Sequence, residues 1–336
     1  MVDYLNLKSL HGVIDEKTHD FLLGHNDLII AEFVEGWLEN TRRNINALND
    51  HGTIKSKATW GIGKGKAVIG IGSGPSLKKN IDLVSGLDDS FIICTTNHQY
   101  KPLLKQGIVP DFVFLYDGAH TLYPQLCEDV WPTDTILIAP LHVSHKIVRD
   151  WPGRIRFFTT NVEALAKEFN RLTGKDNAKY SIPGCGNVFN LMWLVGTKIF
   201  GSKVFMGIGN DLSFPAGDTD DQRKGFYADG DYSTNAASGR DEGSSEERWM
   251  DFYGNVVGTS HTFFRYKTWM EESMLIMTRD TPEYGLHYFN CTEGGILGVL
   301  KDGDKWSMMD DVCRRWHTTT FKNGINQLRK VTNGNT

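Results

Sequence analysis

Ala67-Val68-Ile69-Gly70-Ile71-Gly72-Ser73-Gly74-Pro75-Ser76-Leu77 decides how this chain folds. Its first five residues are a short unbroken apolar run, the pattern of a central parallel strand buried on both faces. A glycine-rich turn follows at once, and Ser76 is placed to cap a helix reaching to about Ser85. Pro75 suits the first helical turn, where a backbone N–H has no intrahelical partner to lose.

Downstream, the same alternation repeats. Phe91 to Thr95 reads as the next strand, Tyr100 to Gln106 as a short helix stopped by Gly107, and Phe112 to Tyr116 as a strand ending in Asp117. Thr135 to Ala139 and Ile155 to Thr159 continue the strands, and Val162 to Leu172 gives a helix. A turn at Pro183 to Asn187 opens a helix running to Phe200, followed by the strand Lys203 to Gly207. Strands and helices alternating at this spacing predict an α/β, Rossmann-like open sheet, mostly parallel and covered by helices on both faces.

Outside that core the pattern changes. Residues 1–64 read as a helical N-terminal arm, with apolar residues at three- and four-residue spacing from Asn26 to Leu38. A packing role is the plain reading of the arm, and a partner-binding or dimerisation arm, which would make a homo-oligomer, the other. Residues 65–300 form the catalytic domain. Within it, 216–250 is a polar excursion with nine acidic and four basic residues, which accounts for the whole net charge of −5. So few aliphatic side chains cannot build a core, which leaves a solvated surface excursion or a lid over a neighbouring site. Ser260 to Met277 is a helix with an apolar face, and Tyr288 to Gly295 a strand running into a double-glycine turn. Residues 301–336 are a C-terminal elaboration, with one helix expected near Trp306 to Arg315 and then a polar tail.

Composition removes several classes of function. Of 336 residues, 40% are hydrophobic and 23% charged, an ordinary globular balance. The acidic net charge gives no electrostatic footprint for a nucleic-acid backbone. Five scattered cysteines make no disulfide framework and lack metal-ligand spacing. No apolar run reaches the ~18 residues of a membrane span, and Met1 to Leu10 lacks a leader pattern, so a cytoplasmic location is expected.

The candidate site collects at the ends of successive strands. Gly70, Gly72, Ser73, Gly74, Pro75 and Ser76 form a turn whose amides suit a phosphate at a helix start. It is neither of the common nucleotide loops. Pro75 stands where a dinucleotide fingerprint has glycine, and Asn97 where that fold places an acid. The nearby Gly61-Ile62-Gly63-Lys64-Gly65-Lys66 has the wrong spacing for a Walker loop. Asn97 suits a sugar hydroxyl or base edge, and Asp117 a sugar or a divalent cation. Ser181, Gly184, Gly186 and Asn187 make a second turn on the ligand, where Cys185 reads as a buried inert thiol. Gly207 leads to Asp211, the natural general base or cation ligand. Glu293 closes the set from the late glycine turn.

These residues in this order resemble the motility-accessory-factor core, which is shared with archaeal hydroxymethylpterin pyrophosphokinase-like proteins. The resemblance rests on Gly72 to Leu77, Asn97, Leu103 to Asp111, Asp117, Gly184 to Asn187, Gly207 to Phe214 and Asn290 to Gly295. The Gly-x-Gly-Pro-Ser-Leu opening is also similar to bacterial sialyltransferases. What the resemblance implies is a transferase with a nucleotide phosphate at Gly72 to Ser76 and its sugar near Asn97 and Asp117. The first expectation is a glycosyltransferase moving a nonulosonic acid from a CMP-linked donor to a protein, glycan or small alcohol, with no metal strictly required and with Asp211 as the base, His261 and His98 its rivals. The alternative is diphosphate transfer from ATP with Mg2+ to a pterin-like alcohol. A non-catalytic nucleotide-binding protein is the reading from another class, since no acid–base couple declares itself in the sequence.

Overall fold

The computed structural model describes residues 16–128, 133–215, 247–280, 282–302 and 305–333. In chain order the first elements are α1 (Glu16–His51), β1 (Ala67–Ile71), β2 (Phe91–Thr96), α2 (Asn97–Lys105), β3 (Phe112–Phe114), α3 (Tyr123–Leu126), β4 (Ile136–Pro140) and α4 (His145–Asp150). Then come β5 (Ile155–Thr160), α5 (Glu163–Thr173), β6 (Ser181–Ile182), α6 (Val188–Leu194), β7 (Val204–Ile208), β8 (Phe214–Pro215), β9 (Glu247–Met250), β10 (Val256–Thr259) and α7 (His261–Asp280). The chain closes with β11 (His287–Asn290), β12 (Val299–Asp302), β13 (Lys305–Met308), α8 (Met309–Val312), β14 (Trp316–Thr318) and α9 (Phe321–Asn333).

Nine strands form one sheet in the order β14-β11-β7-β1-β2-β3-β4-β5-β6, every neighbouring pair parallel. The chain steps outward from β1 to β6, and α6 then returns it to the opposite flank of β1, where β7 begins. Strand order therefore reverses between β1 and β7, and in an open parallel sheet the crevice for a ligand lies beyond the strand ends at that point.

Period-two alternation sorts the core. Val68, Ile92, Phe114, Ile138 and Phe205 face a layer closed by α6 and α7, through Phe189, Trp193, Met270 and Met274. On the other face, Ile69, Ile71, Met206 and Ile208 pack with Leu77, Ile81, Phe321 and Ile325. Val113, Leu137 and Phe157 pack with Leu48, Ile147 and Phe169 of α1, α4 and α5. Each such side chain, fully buried, stabilises the fold by about 1.5–3 kcal/mol. The arm is part of this structure: the buried Asn44 amide donates to Leu141 O at 2.9 Å and Val143 O at 2.7 Å.

Three local expectations are corrected. The helix after the glycine turn is two 3-10 segments, Pro75–Lys79 and Ile81–Gly86, and Gly74 rather than Ser76 stands at its start. Asn80 breaks it at φ −138°, because its buried side chain is tied to Cys291 O at 3.0 Å. Trp306 lies on β13, since β12 and β13 pair as an antiparallel hairpin, and only Met309–Val312 is helical there. The tail holds α9, whose Phe321 and Ile325 enter the core, and β14 extends the main sheet. The polar excursion falls outside the described residues except for β9. Among the described residues no helix is long and apolar enough to cross a membrane.

Candidate functional site

At the switch point the two loops leaving β1 and β7 are locked together. Gly72 N–H donates to Ile208 O at 2.8 Å and Gly74 N–H to Gly209 O at 2.7 Å. A Cβ at Gly72 would stand 2.3 Å from Gly209 O, and one at Gly74 would stand 2.0 Å from Asp211 Oδ2. These glycines are therefore needed for close approach of the two backbones and of a carboxylate. Asp211, 4% exposed, fills the hollow of the turn. Ser76 Oγ donates to Asp211 Oδ2 at 2.8 Å and Ser76 N–H to Oδ1 at 3.2 Å.

The turn is thus not an open cradle of amides. The sequence reading sets a phosphate directly on it; in the structure a carboxylate holds that place. Burial pushes the Asp211 carboxyl up to about 7, while its bonds from Ser76 and the charge of Lys79 hold it down. A carboxylate beside a hydroxyl is a pair of hard oxygen donors. Among the described residues no three His, Cys, Asp or Glu side chains converge, so a cation here would take its remaining ligands from a nucleotide's phosphates and water.

On the β2–β3 side, Ser73 Oγ and Thr96 Oγ1 share a hydrogen bond of 2.9 Å. Asn97 opens α2, nearly buried, and donates to Gln125. Asp117 accepts from Ala119 N–H at 3.0 Å, a local turn that fixes its carboxylate beyond β3. The Gly184 turn comes alongside it, with its Cβ position 4.0 Å from the Tyr116 hydroxyl. Asn187 Oδ1 caps α6 by accepting from Asn190 N–H at 2.8 Å, and Gly186 packs on Tyr266. Cys185 is buried, its thiol pushed up to about 12, which keeps it protonated and inert. β3, which Asp117 follows, lies two strand spacings of roughly 4.8 Å from β1, whose turn holds the Asp211 carboxylate.

Other predicted residues sit elsewhere. Gly70 and Gly207 are register partners within β1 and β7. Their missing side chains leave room for Phe205 and for Tyr288 and Phe189. Ser181 is on β6, the far edge strand, bonded to Ala178 O. His261 opens α7, its side chain outside the described set; His98 lies in the first turn of α2.

The β11 side comes directly against Asp211. Glu293 Oε1 accepts from Phe321 N–H at 2.9 Å, fixing the start of α9. Lys79 Nζ donates to Glu293 O and lies 4.9 Å from the Tyr253 ring centre. Leu212 at φ 51° and Glu293 at φ 58° hold left-handed backbone, in which side chains are strained. Sequence reading missed Lys79 and Tyr253. The pair Lys78-Lys79 immediately after Gly-Pro-Ser-Leu was the available signal for the first.

The sequence profile of the family described as 6-hydroxymethylpterin diphosphokinase MptE-like matches residues 37–217, just over half of the chain and inclusive of Ser76 and Asp211. Among solved structures, the MAf glycosyltransferase from Magnetospirillum magneticum AMB-1 superposes with a TM-score of 0.50 at 19% identity, over 68% of this chain and 32% of that one. The chain thus spans about a third of that protein, and the likeness is one of fold. No curated protein sequence matches the chain. The profile covers more than half of the chain, and the chain belongs to the 6-hydroxymethylpterin diphosphokinase MptE-like family.

Proposed function

We propose that the chain transfers diphosphate from ATP to the hydroxyl of a small, pterin-like alcohol. The observation that carries the proposal is the buried Ser76–Asp211 pair at the switch point, inside the matched segment. A phosphate-loop hydroxyl and a carboxylate at the end of the neighbouring strand are the kind of donors that P-loop enzymes give to magnesium. Here they would hold Mg2+ together with the phosphates of ATP, and the ion would neutralise charge on the group being moved.

The chain's own residues then position and polarise. The phosphates lie over Gly72 to Ser76 with Lys79 beside them, and the nucleoside extends over β2 and β3 toward Asn97 and Asp117. The acceptor oxygen attacks the β-phosphorus, the bond from that phosphorus to the oxygen bridging it to the α-phosphorus breaks, AMP leaves and the hydroxyl proton is released. Phosphoryl transfer through a loose transition state needs placement and charge stabilisation far more than a strong base. That is the physical reason no acid–base couple stands out in the sequence.

Transfer of a nonulosonic acid from a CMP-linked donor is the second reading, supported by a fold shared with a glycosyltransferase. Calorimetry separates the two. With magnesium, α,β-methylene-ATP binds; without it, affinity falls at least tenfold, and CMP gives no heat. Metal-independent CMP binding with the ATP analogue silent would overturn the proposal in favour of glycosyl transfer.

A further inference from the structure

We infer that Lys267 and Glu271 of α7 are positioning residues for Asp211, acting through the turn that leaves β11; the inference rests on the reading of Ser76 and Asp211 as the pair that meets the nucleotide's phosphates. Both side chains are 0% exposed, and Lys267 Nζ donates to the two carboxylate oxygens of Glu271 at 2.7 Å each. Taking two charges out of water costs about as much as their attraction returns, so a buried pair adds little stability over two apolar side chains of similar size. Met270 and Met274 already root α7 in the core, and the charge pair calls for a use other than holding the helix in place. Both residues lie beyond the segment 37–217 that the family profile matches.

That use is read from another bond of Glu271. Its Oε1 accepts from Gly298 N–H at 2.6 Å, a buried bond to an ionised group and therefore a strong one. Gly298 closes a turn in which Glu293, Gly295 and Gly298 all hold left-handed backbone, at φ 58°, 73° and 84°. A turn with a strained residue at its start keeps its shape only if its surroundings hold it. From Gly298 the chain runs back to Ile296, whose N–H donates to Asp211 O at 2.8 Å. A Cβ at Gly295 would stand 2.2 Å from that same Asp211 O, and one at Gly294 would stand 3.3 Å from Asp211 Oδ1 and 3.2 Å from Ser76 Cβ. The turn is thus a wall that seats the Asp211 carboxylate against Ser76. Anchored at Gly298, it leaves that carboxylate one place; released there, it admits water and a second side-chain position.

Lys267 supplies the charge that keeps Glu271 ionised. Its ammonium lies 5.9 Å from the ring centre of Trp249 and 5.8 Å from that of Phe264, so aromatic faces stand where water would otherwise solvate it. Burial pulls Lys267 below the ordinary lysine value, and the Glu271 carboxylate beside it pushes it back up. Without the ammonium, Glu271 would be a buried charge with no compensation; it would take up a proton or draw in water, and either change weakens its hold on Gly298. The same layer holds the residue after Asp211: Trp249 is on β9, β9 pairs with β10, and Thr259 of β10 donates to Leu212 O at 2.8 Å.

The test uses the full chain and three variants: Lys267→Met alone, Lys267→Met with Glu271→Gln, and Lys267→Met with Glu271→Leu. Both double variants remove the two charges together, so both should fold; the first keeps an oxygen for Gly298 N–H and the second does not. Two quantities are measured: hydrogen exchange at the Ile296 amide relative to that of Ile69 in β1, and calorimetric affinity for α,β-methylene-ATP with magnesium. In Lys267→Met and in the leucine double variant, Ile296 should exchange at least tenfold faster relative to Ile69, and nucleotide affinity should fall at least tenfold. The glutamine double variant should stay within threefold of wild type in both. A leucine variant that melts lower but keeps both quantities would make the pair structural and overturn the inference. A glutamine variant as impaired as the leucine one would overturn it too, and if Lys267→Met fails to fold, the two double variants decide. Ile296 exchange that follows this pattern in a chain that ignores the ATP analogue would support the seating of Asp211 and sink the donor assignment instead, so the two failures are distinguishable.

Discussion

The two flanks of β1 are built on different terms. From β2 to β6 the strands follow in chain order, each one step outward, and the ends of β2 and β3 carry groups settled in local bonds: Asn97 with Gln125, Asp117 with Ala119. On the other flank β7, β11 and β14 come from distant segments. There Asp211 is buried in a turn belonging to β1, and both non-glycine residues with positive φ among the described residues, Leu212 and Glu293, flank it in the fold. Strained backbone persists only where its surroundings over-determine it, and it gathers at sites that work. The ordered flank is the platform; the crossed flank is where the chemistry should reside.

The largest effect should come from the junction itself. Gly72→Ala puts a methyl 2.3 Å from the carbonyl of Gly209, backbone against backbone, so one loop must leave the other. Overpacking of this kind typically costs 1–3 kcal/mol. Nucleotide binding should disappear in calorimetry, and the melting temperature should fall. Gly86→Ala, where nothing lies within 4 Å, is the control and should change neither. If Gly72→Ala binds nucleotide normally, the locked loops are packing alone and the contrast between the flanks fails.

Next comes Asp211→Asn, for which activity and stability should move in opposite directions. Burial lifts this carboxyl from its ordinary 3.8 to about 7. Between those values the folded chain binds more protons than the unfolded one, so stability falls as pH rises through that window. The amide removes this titration: the variant should lose the fall in melting temperature that Asp211 causes as pH rises from about 4 to 7, and melt a few degrees higher than wild type at pH 8. Magnesium-dependent nucleotide binding and AMP release should be lost together. A variant that is less stable at pH 8 would show that Asp211 is a structural anchor rather than a buried charge held ready for a ligand.

The same division explains what could be read from sequence. Ala67 to Ile71 and the strands after it are apolar on both faces, and burial of both faces is what a parallel sheet demands, so the fold class followed from pattern alone. Asp211 and Glu293 could be singled out as residues at strand ends. Their juxtaposition with Ser76 could not, because 135 residues separate Ser76 from Asp211 and only the return of α6 across the sheet joins them. The helix expected after Gly74 became 3-10 turns for a reason equally distant in sequence, the bond from Asn80 to Cys291. α9 escaped notice because Phe321 and Ile325 are diluted by lysine and asparagine, and its burial depends on a strand edge that the tail cannot announce.

The smallest predicted effect tests the platform. Asp117→Asn keeps an oxygen to accept from Ala119 N–H, so the turn beyond β3 and the melting temperature should be unchanged. If this carboxylate only steadies the nucleoside, affinity for α,β-methylene-ATP should fall about three- to tenfold, at most about 1.4 kcal/mol. AMP release at saturating ATP should stay near the wild-type rate, because uniform binding of ground and transition states affects KM and leaves kcat alone. Should Asp117→Asn instead stop turnover as completely as Asp211→Asn, the reacting atoms would have to lie over β3, two strand spacings, roughly 10 Å, from the turn that holds the Ser76–Asp211 pair. The assignment of work to the crossed flank would then have to be reversed.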